Sequence, residues 1–147
     1  MVQPSMLQKY ALFGGLMEEQ IETVLPFMTE EKFAPDDMLI IEGKPNDKIF
    51  FITEGQVSVS KKDIILTRFC EGDAFGEMEI LDVMPAVASI KALSPVTVMT
   101  ISNKSLREIY KKDISTFNLV LMNLARDLVR RLRKMDEKFA STQSIFN

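Results

Sequence analysis

Hydrophobic positions along the chain change period twice. Residues Ser5 to Phe13 carry a helical pattern that Gly14-Gly15 breaks. A second helical pattern starts near Met17, with Ile21, Val24, Leu25 and Met28 on one face, and Pro26 bends it or ends it early. From Asp37 to about Ser102 the period shortens to two. Short β-branched runs ("MLIIEG", "KIFFITEG", "QVSVS", "IILTRFCEGD", "AVASIKAL", "VTVMTIS") alternate with glycine or acidic breaks. Val57 and Val59 fall on one face, Ser58 and Ser60 on the other, while Gly43, Gly55 and Gly72 mark corners. Regularly spaced short strands predict a β-sandwich or jelly roll rather than a βαβ sheet.

Helix returns at the C-terminal end. Ser102 is placed to cap "SNKSLREIY", and a long helix begins near Ile114 with the stripe Phe117, Leu121, Leu124, Leu128, Leu132, Met135, Phe139. The fold expected is mainly β with flanking helices: an antiparallel β-roll plus a long C-terminal helix. The boundaries are 1–113 for the N-terminal helices and roll, 114–140 for the long helix and 141–147 for a tail. The stripe has two readings: packing on its own roll alone, or pairing with a second copy past Leu128. A helix of ~25 residues is about 37 Å long, more than such a roll covers. An apolar seam of that length left in water is a liability, so a homodimer is expected.

Composition narrows the chemistry. With 147 residues, 46% of them hydrophobic and 27% charged, the chain suits one soluble domain. No apolar run approaches the ~20 residues of a membrane span, no signal layout opens the chain, and a cytoplasmic location is expected. One cysteine and no histidine exclude an internal disulfide, a Ser-His-Asp triad, and cysteine-cluster or ordinary haem and zinc sites. The remaining carboxylates and lysines form no convincing acid–base pair, so no enzyme is expected. The net charge of −3 is uneven: the long helix holds six bases (Arg126, Arg130, Arg131, Arg133, Lys134, Lys138) against three acids (Asp127, Asp136, Glu137). The run "RRLRK" reads first as a solvated helix face, and no direct nucleic-acid contact is expected. The ten methionines read as core gap-fillers. Cys70 reads as a packed small residue rather than a redox sensor.

"LFGGLMEEQIETVL", "IIEGKPNDKIFFITEGQVSVS", "EGDAFGEMEIL" and "ASIKAL", in that order, resemble the cyclic nucleotide-binding domain family, which includes the catabolite activator protein and the regulatory subunit of protein kinase A. The resemblance covers nearly the whole chain and implies an eight-stranded roll with flanking helices. It also implies that "LARDLVRRLRKMDEKF" is a dimerisation helix, after which the catabolite-activator branch carries a helix-turn-helix domain.

The resemblance further implies a phosphate-binding cassette at Phe75, Gly76, Glu77, Met78 and Glu79, with Ala86, Val87 and Ala88 on the strand that follows. In the family, backbone N–H groups and an arginine hold the cyclic phosphate, and a glutamate accepts from the ribose. Gly76 and Glu77 keep the glycine and the glutamate, but the arginine position is Ala86. Strand alternation puts Ala86, Ala88, Ile90 and Ala92 inward and turns Ser89 and Lys91 outward. Arg68 lies on another strand, with its face left open. Glu79 replaces a small residue, and Met135 and Asp136 replace the hydroxyls that touch the base. Glu77 also has a bland reading, as a first-turn acid at a helix N-terminus.

Loss of one partner of a desolvated ion pair costs about 3–5 kcal/mol, and each ~1.4 kcal/mol is tenfold in affinity. The expectation is a non-enzymatic regulatory module whose cyclic AMP or GMP binding is weak or lost, with no other cofactor implied. Two alternatives stand beside it: the sensor part of a transcription regulator without its helix-turn-helix domain, and a structural adaptor with no ligand.

Overall fold

Residues 7–146, residue 9 apart, are described by a computed structural model. Eight strands make two four-stranded sheets in which every pair is antiparallel. The first sheet runs β1-β8-β3-β6, from Thr29–Phe33, Val96–Ser102, Lys48–Glu54 and Ala74–Phe75. The second runs β2-β7-β4-β5, from Met38–Ile40, Ser89–Ala92, Val57–Lys61 and Ile64–Phe69. Among the described residues, four α-helices accompany them: α1 (Glu18–Val24), α2 (Glu77–Asp82), α3 (Asn103–Lys112) and α4 (Ile114–Phe146). The roll and the long helix expected from the sequence are both present. Among the described residues, no helix is long and apolar enough to cross a membrane.

Strand β3 explains why there are two cores. Phe50 and Ile52 point between the sheets and join Val57, Ile90, Val96 and Val98. Their neighbours Ile49 and Phe51 point the other way and join Leu12, Phe13, Ile109 and Leu124 from the turns and helices. Burial on both faces reads as the near-continuous apolar run "IFFI". The roll is thus clamped between its own interior and a helical layer.

Several boundaries differ from the sequence reading. Strand β1, "TEEKF", lies before Asp37; it is an edge strand whose residues are exposed or half-buried, so it shows no apolar alternation. The Ser5–Phe13 helix lies partly outside the described residues, and the part that is described ends in a 3-10 turn, Ala11–Phe13. Pro26 does end α1: the chain tightens into a 3-10 turn at Leu25–Phe27. The helix expected to stop at residue 140 continues to Phe146, so the segment taken for a tail is helical.

The caps of the last two helices follow the side-chain chemistry. The Ser102 hydroxyl accepts the Ser105 N–H at 3.0 Å. Asp113 starts α4 in the same way, accepting from the Thr116 N–H at 3.2 Å and hydroxyl at 2.6 Å. Those hydrogen bonds hold the Asp113 carboxyl below the usual range. Further along, Asn123 Nδ2 donates to the Leu12 and Gly14 carbonyls at 3.0 and 2.8 Å, which ties α4 to the N-terminal turn.

Candidate functional site

Strand β6 leads directly into the cassette. Gly76 caps α2 with φ +89°, and a Cβ there would stand 2.5 Å from the Lys48 carbonyl and 2.9 Å from Asn46 Nδ2. Glycine is therefore required by both conformation and space. Asn46 braces the turn, donating to the Lys48 and Gly76 carbonyls at 2.8 and 3.3 Å. The short helix ends at Val83 in the left-handed region, φ +58°, an expensive place for a β-branched residue. Met78, Leu81 and Val83 face solvent, whereas Ile80 packs on the helical core.

Glu77 and Glu79 turn inward and are both buried. Burial pushes the Glu77 carboxyl up, against the opposing pull of Arg131, and Asp127 pushes the same way as burial. Burial raises Glu79 as well, with the Glu77 charge adding to it. Where these two buried acids are ionised, their charge opposes an anion.

The position to which the resemblance assigns an arginine is sealed. Ala86 is 4% exposed and belongs to the core inside the roll. Its N–H donates to the Lys44 carbonyl, and its carbonyl accepts from Gly43 N–H, both at 2.9 Å. Val87 is exposed and Ala88 half-buried, in keeping with the alternation read from the sequence. Lys91 faces outward, 3.5 Å from Asp36. Arg68 stands opposite Ser58, as Lys91 does, while its neighbour Phe69 stands opposite Val57; Arg68 therefore also faces away from the roll interior. Lys48 pairs with Glu31 at 3.2 Å. Met135 and Asp136 are solvent-exposed on α4.

The cation that does reach the cassette comes from the long helix. Arg131 Nη1 donates to Glu77 Oε1 at 2.8 Å, and its Nη2 donates to the Ala74 carbonyl. Asp127, one turn earlier, places Oδ2 at 2.9 Å from Nη2, though out of line for a hydrogen bond. The guanidinium lies 4.6 Å over the Phe69 ring. Phe69 in turn stacks on Phe75 at 6.0 Å, and Phe75 on Phe50 at 4.9 Å, so Arg131 closes an aromatic column rising out of the roll. The sequence reading counts Arg131 and Asp127 only as charges of the long helix, and Phe69 is not singled out. The reading of "RRLRK" as a solvated face fails at Arg131, whose side chain is only 25% exposed.

An apolar joint lies beside this contact. A cavity of about 180 Å³ opens between α2, α3 and α4, lined by Ile80 and Leu81, by Leu106 and Tyr110, and by Val120 and Leu124. Ile80 and Leu81 of the short helix thus share one cavity with Val120 and Leu124 of α4. Cys70 is exposed, contrary to the packed position expected; it sits in a turn where Asp73 Oδ2 accepts its N–H at 2.9 Å. Local desolvation and the nearby Asp73 and Glu71 charges keep its thiol protonated above the usual value. Among the described residues, no group of three or more His, Cys, Asp or Glu is placed to hold a metal ion.

A two-sheet roll, a glycine-capped cassette and a long helix laid against it define a class of ligand-responsive regulatory domain. Residues 30–113 match the family model for the cyclic nucleotide-binding domain, and the chain belongs to that family. A cyclic nucleotide-binding domain from Methylobacillus flagellatus superposes with a TM-score of 0.85 at 26% identity, over 95% of this chain and 82% of that one. The Thermus thermophilus catabolite activator protein gives 0.78 at 22% identity, over 90% and 63%, and shares the fold. In sequence, the cAMP-dependent protein kinase regulatory subunit of Hypocrea atroviridis is 26% identical over 103 residues. That match takes in 70% of this chain but 22% of the relative's length.

Proposed function

We propose that the chain is a non-enzymatic regulatory module in which the state of the cassette sets the position of α4, and in which cyclic AMP and cyclic GMP bind weakly or not at all. The observation that carries this reading is the sealed methyl of Ala86 at the position where the family places its phosphate arginine. Four described cations nearby do not supply it: Lys91 and Arg68 face away, Lys48 is paired, and Arg131 is held by Glu77. A cyclic phosphate would meet two buried carboxylates and lose a partner worth about 3–5 kcal/mol, which is roughly two to three and a half orders of magnitude in affinity. Calorimetry with cyclic AMP, cyclic GMP and cyclic dinucleotides tests the proposal. Millimolar or absent binding supports it, and a micromolar Kd for cyclic AMP overturns it.

The module further pairs with a second copy through the distal half of α4. The stripe divides where the body ends: Leu124 is 3% exposed, whereas Leu132, Met135 and Phe139 are 58%, 66% and 66% exposed, with Val129 at 51%. At 1.5 Å per residue α4 is about 50 Å long, and its apolar outer half needs cover. Light scattering at micromolar concentration distinguishes the dimer from a monomer.

A further inference from the structure

The contacts around Arg131 form a complete receptor for a planar cation. Glu77 and Asp127 supply carboxylates, Ala74 a carbonyl, and Phe69 an aromatic face. The local charge agrees: Glu77 and Asp127 are two acids on one guanidinium, and Glu79 adds its charge to that of Glu77. Emptied of Arg131, the pocket would repel an anion and attract a cation.

The receptor also has more capacity than Arg131 uses. Only Oε1 of Glu77 takes a hydrogen bond from the guanidinium; Oε2 is buried with no donor, and so is Asp127 Oδ2. The Glu77 side chain is only 2% exposed, so water does not readily serve these oxygens. Here the guanidinium reaches Glu77 through Nη1 alone, whereas a free one can take both oxygens at once.

We propose that this pocket recognises the guanidinium or primary ammonium group of a small organic cation, with Arg131 as its resident, tethered occupant. The ligand class is thus opposite in charge to a cyclic nucleotide. Entry of the cation expels the Arg131 side chain while Asp127 stays at the pocket, and the part of α4 beyond Arg131, whose Leu132, Met135 and Phe139 are exposed, loses its tie to Glu77. The inference rests on the proposed regulatory reading of α4, and it supplies the ligand class which that reading leaves open.

The test compares wild type, R131A and R131A/E77Q with methylguanidinium, agmatine and tetramethylammonium at matched ionic strength. Melting temperature and hydrogen exchange of α4 amides are the readouts. Methylguanidinium and agmatine are expected to raise the melting temperature of R131A saturably at millimolar concentration. Wild type needs about tenfold more, because the tethered group competes at high effective concentration, and agmatine speeds exchange along its distal α4. Tetramethylammonium, which has the charge but no N–H donor, gives no saturable shift. R131A/E77Q responds to none of the three. R131Q, which keeps a polar side chain, substitutes if R131A is poorly folded. A folded R131A that ignores both guanidinium compounds, or a response that survives E77Q unchanged, overturns the cation pocket and leaves the weak cyclic nucleotide binding untouched. Micromolar cyclic AMP binding to wild type would instead overturn the regulatory reading beneath it.

Discussion

Replacing Arg131 by alanine should expose how strongly the cassette depends on α4. The substitution leaves Glu77 buried with its main charge partner gone, and one orphaned member of a buried pair costs about 3–5 kcal/mol. Arg131 is 25% exposed and shares its charge with Asp127, so the lower end, about 3 kcal/mol, is expected at pH 8. For a chain of this size that corresponds to roughly 2–4 °C in Tm per kcal/mol. The cost must depend on pH, because the orphaned carboxylate can escape by taking a proton. Burial already raises Glu77 and Arg131 lowers it; removing Arg131 raises it further. A carboxyl whose folded pKa lies above its unfolded one stabilises the fold below the unfolded value, and that contribution is lost as pH rises through the folded value. R131A should therefore be most destabilised near pH 8 and approach wild type toward pH 5. Urea unfolding across that range measures it, and E77Q should remove most of both the cost and the pH slope. A penalty that grows as pH falls, or one below about 0.5 kcal/mol at pH 8, the size of an ordinary surface substitution, would refute the buried-pair reasoning.

Three further outcomes follow from the same geometry. L132E/F139E places carboxylates on the exposed outer half of α4 and should convert the dimer to a monomer by light scattering without loss of roll structure in circular dichroism. A86R should raise cyclic AMP affinity about a hundredfold or more in calorimetry by supplying the missing cation, at some cost in Tm because the methyl is now 4% exposed. G76A forces a Cβ to 2.5 Å from the Lys48 carbonyl at a left-handed φ, and should cost about 1–3 kcal/mol in urea unfolding from the strained backbone alone, with E79Q as a neighbouring control that lacks the clash.

Much of the roll was legible because its chemistry is local. Period-two runs gave β2 to β5, β7 and β8 but not the two-residue β6, and the glycine corners all stand at positive φ. Strand β1 escaped notice because Glu30 and Glu31 occupy an edge whose pairing with β8 comes from register rather than from apolar alternation. The facing of the following strand was equally legible: its parity turns Ala86 into the core and Lys91 outward. The cation actually used was not legible by those means. Arg131 lies 54 residues beyond Glu77, and their meeting depends on where α4 crosses the roll. A weaker signal was present in the helix itself. Leu124, Asp127, Leu128 and Arg131 fall at helical spacing on one side, so an acid–base pair sits on the stripe that Leu124 buries.

That placement changes what the cassette can transmit. By the resemblance, a family cassette carries its phosphate cation on the roll rather than on the long helix. Here the compensating charge is carried by α4 itself, so filling the pocket and positioning the helix are a single event. Any ligand that displaces Arg131 must supply the free energy holding the helix down, and by linkage a helix held down by a dimer partner weakens that ligand by the same factor. Dimer strength and ligand affinity should therefore move in opposite directions if the paired state is the latched one. L132E/F139E then binds agmatine more tightly than wild type in calorimetry, whereas equal affinities in dimer and monomer would mean that latch and dimer are independent.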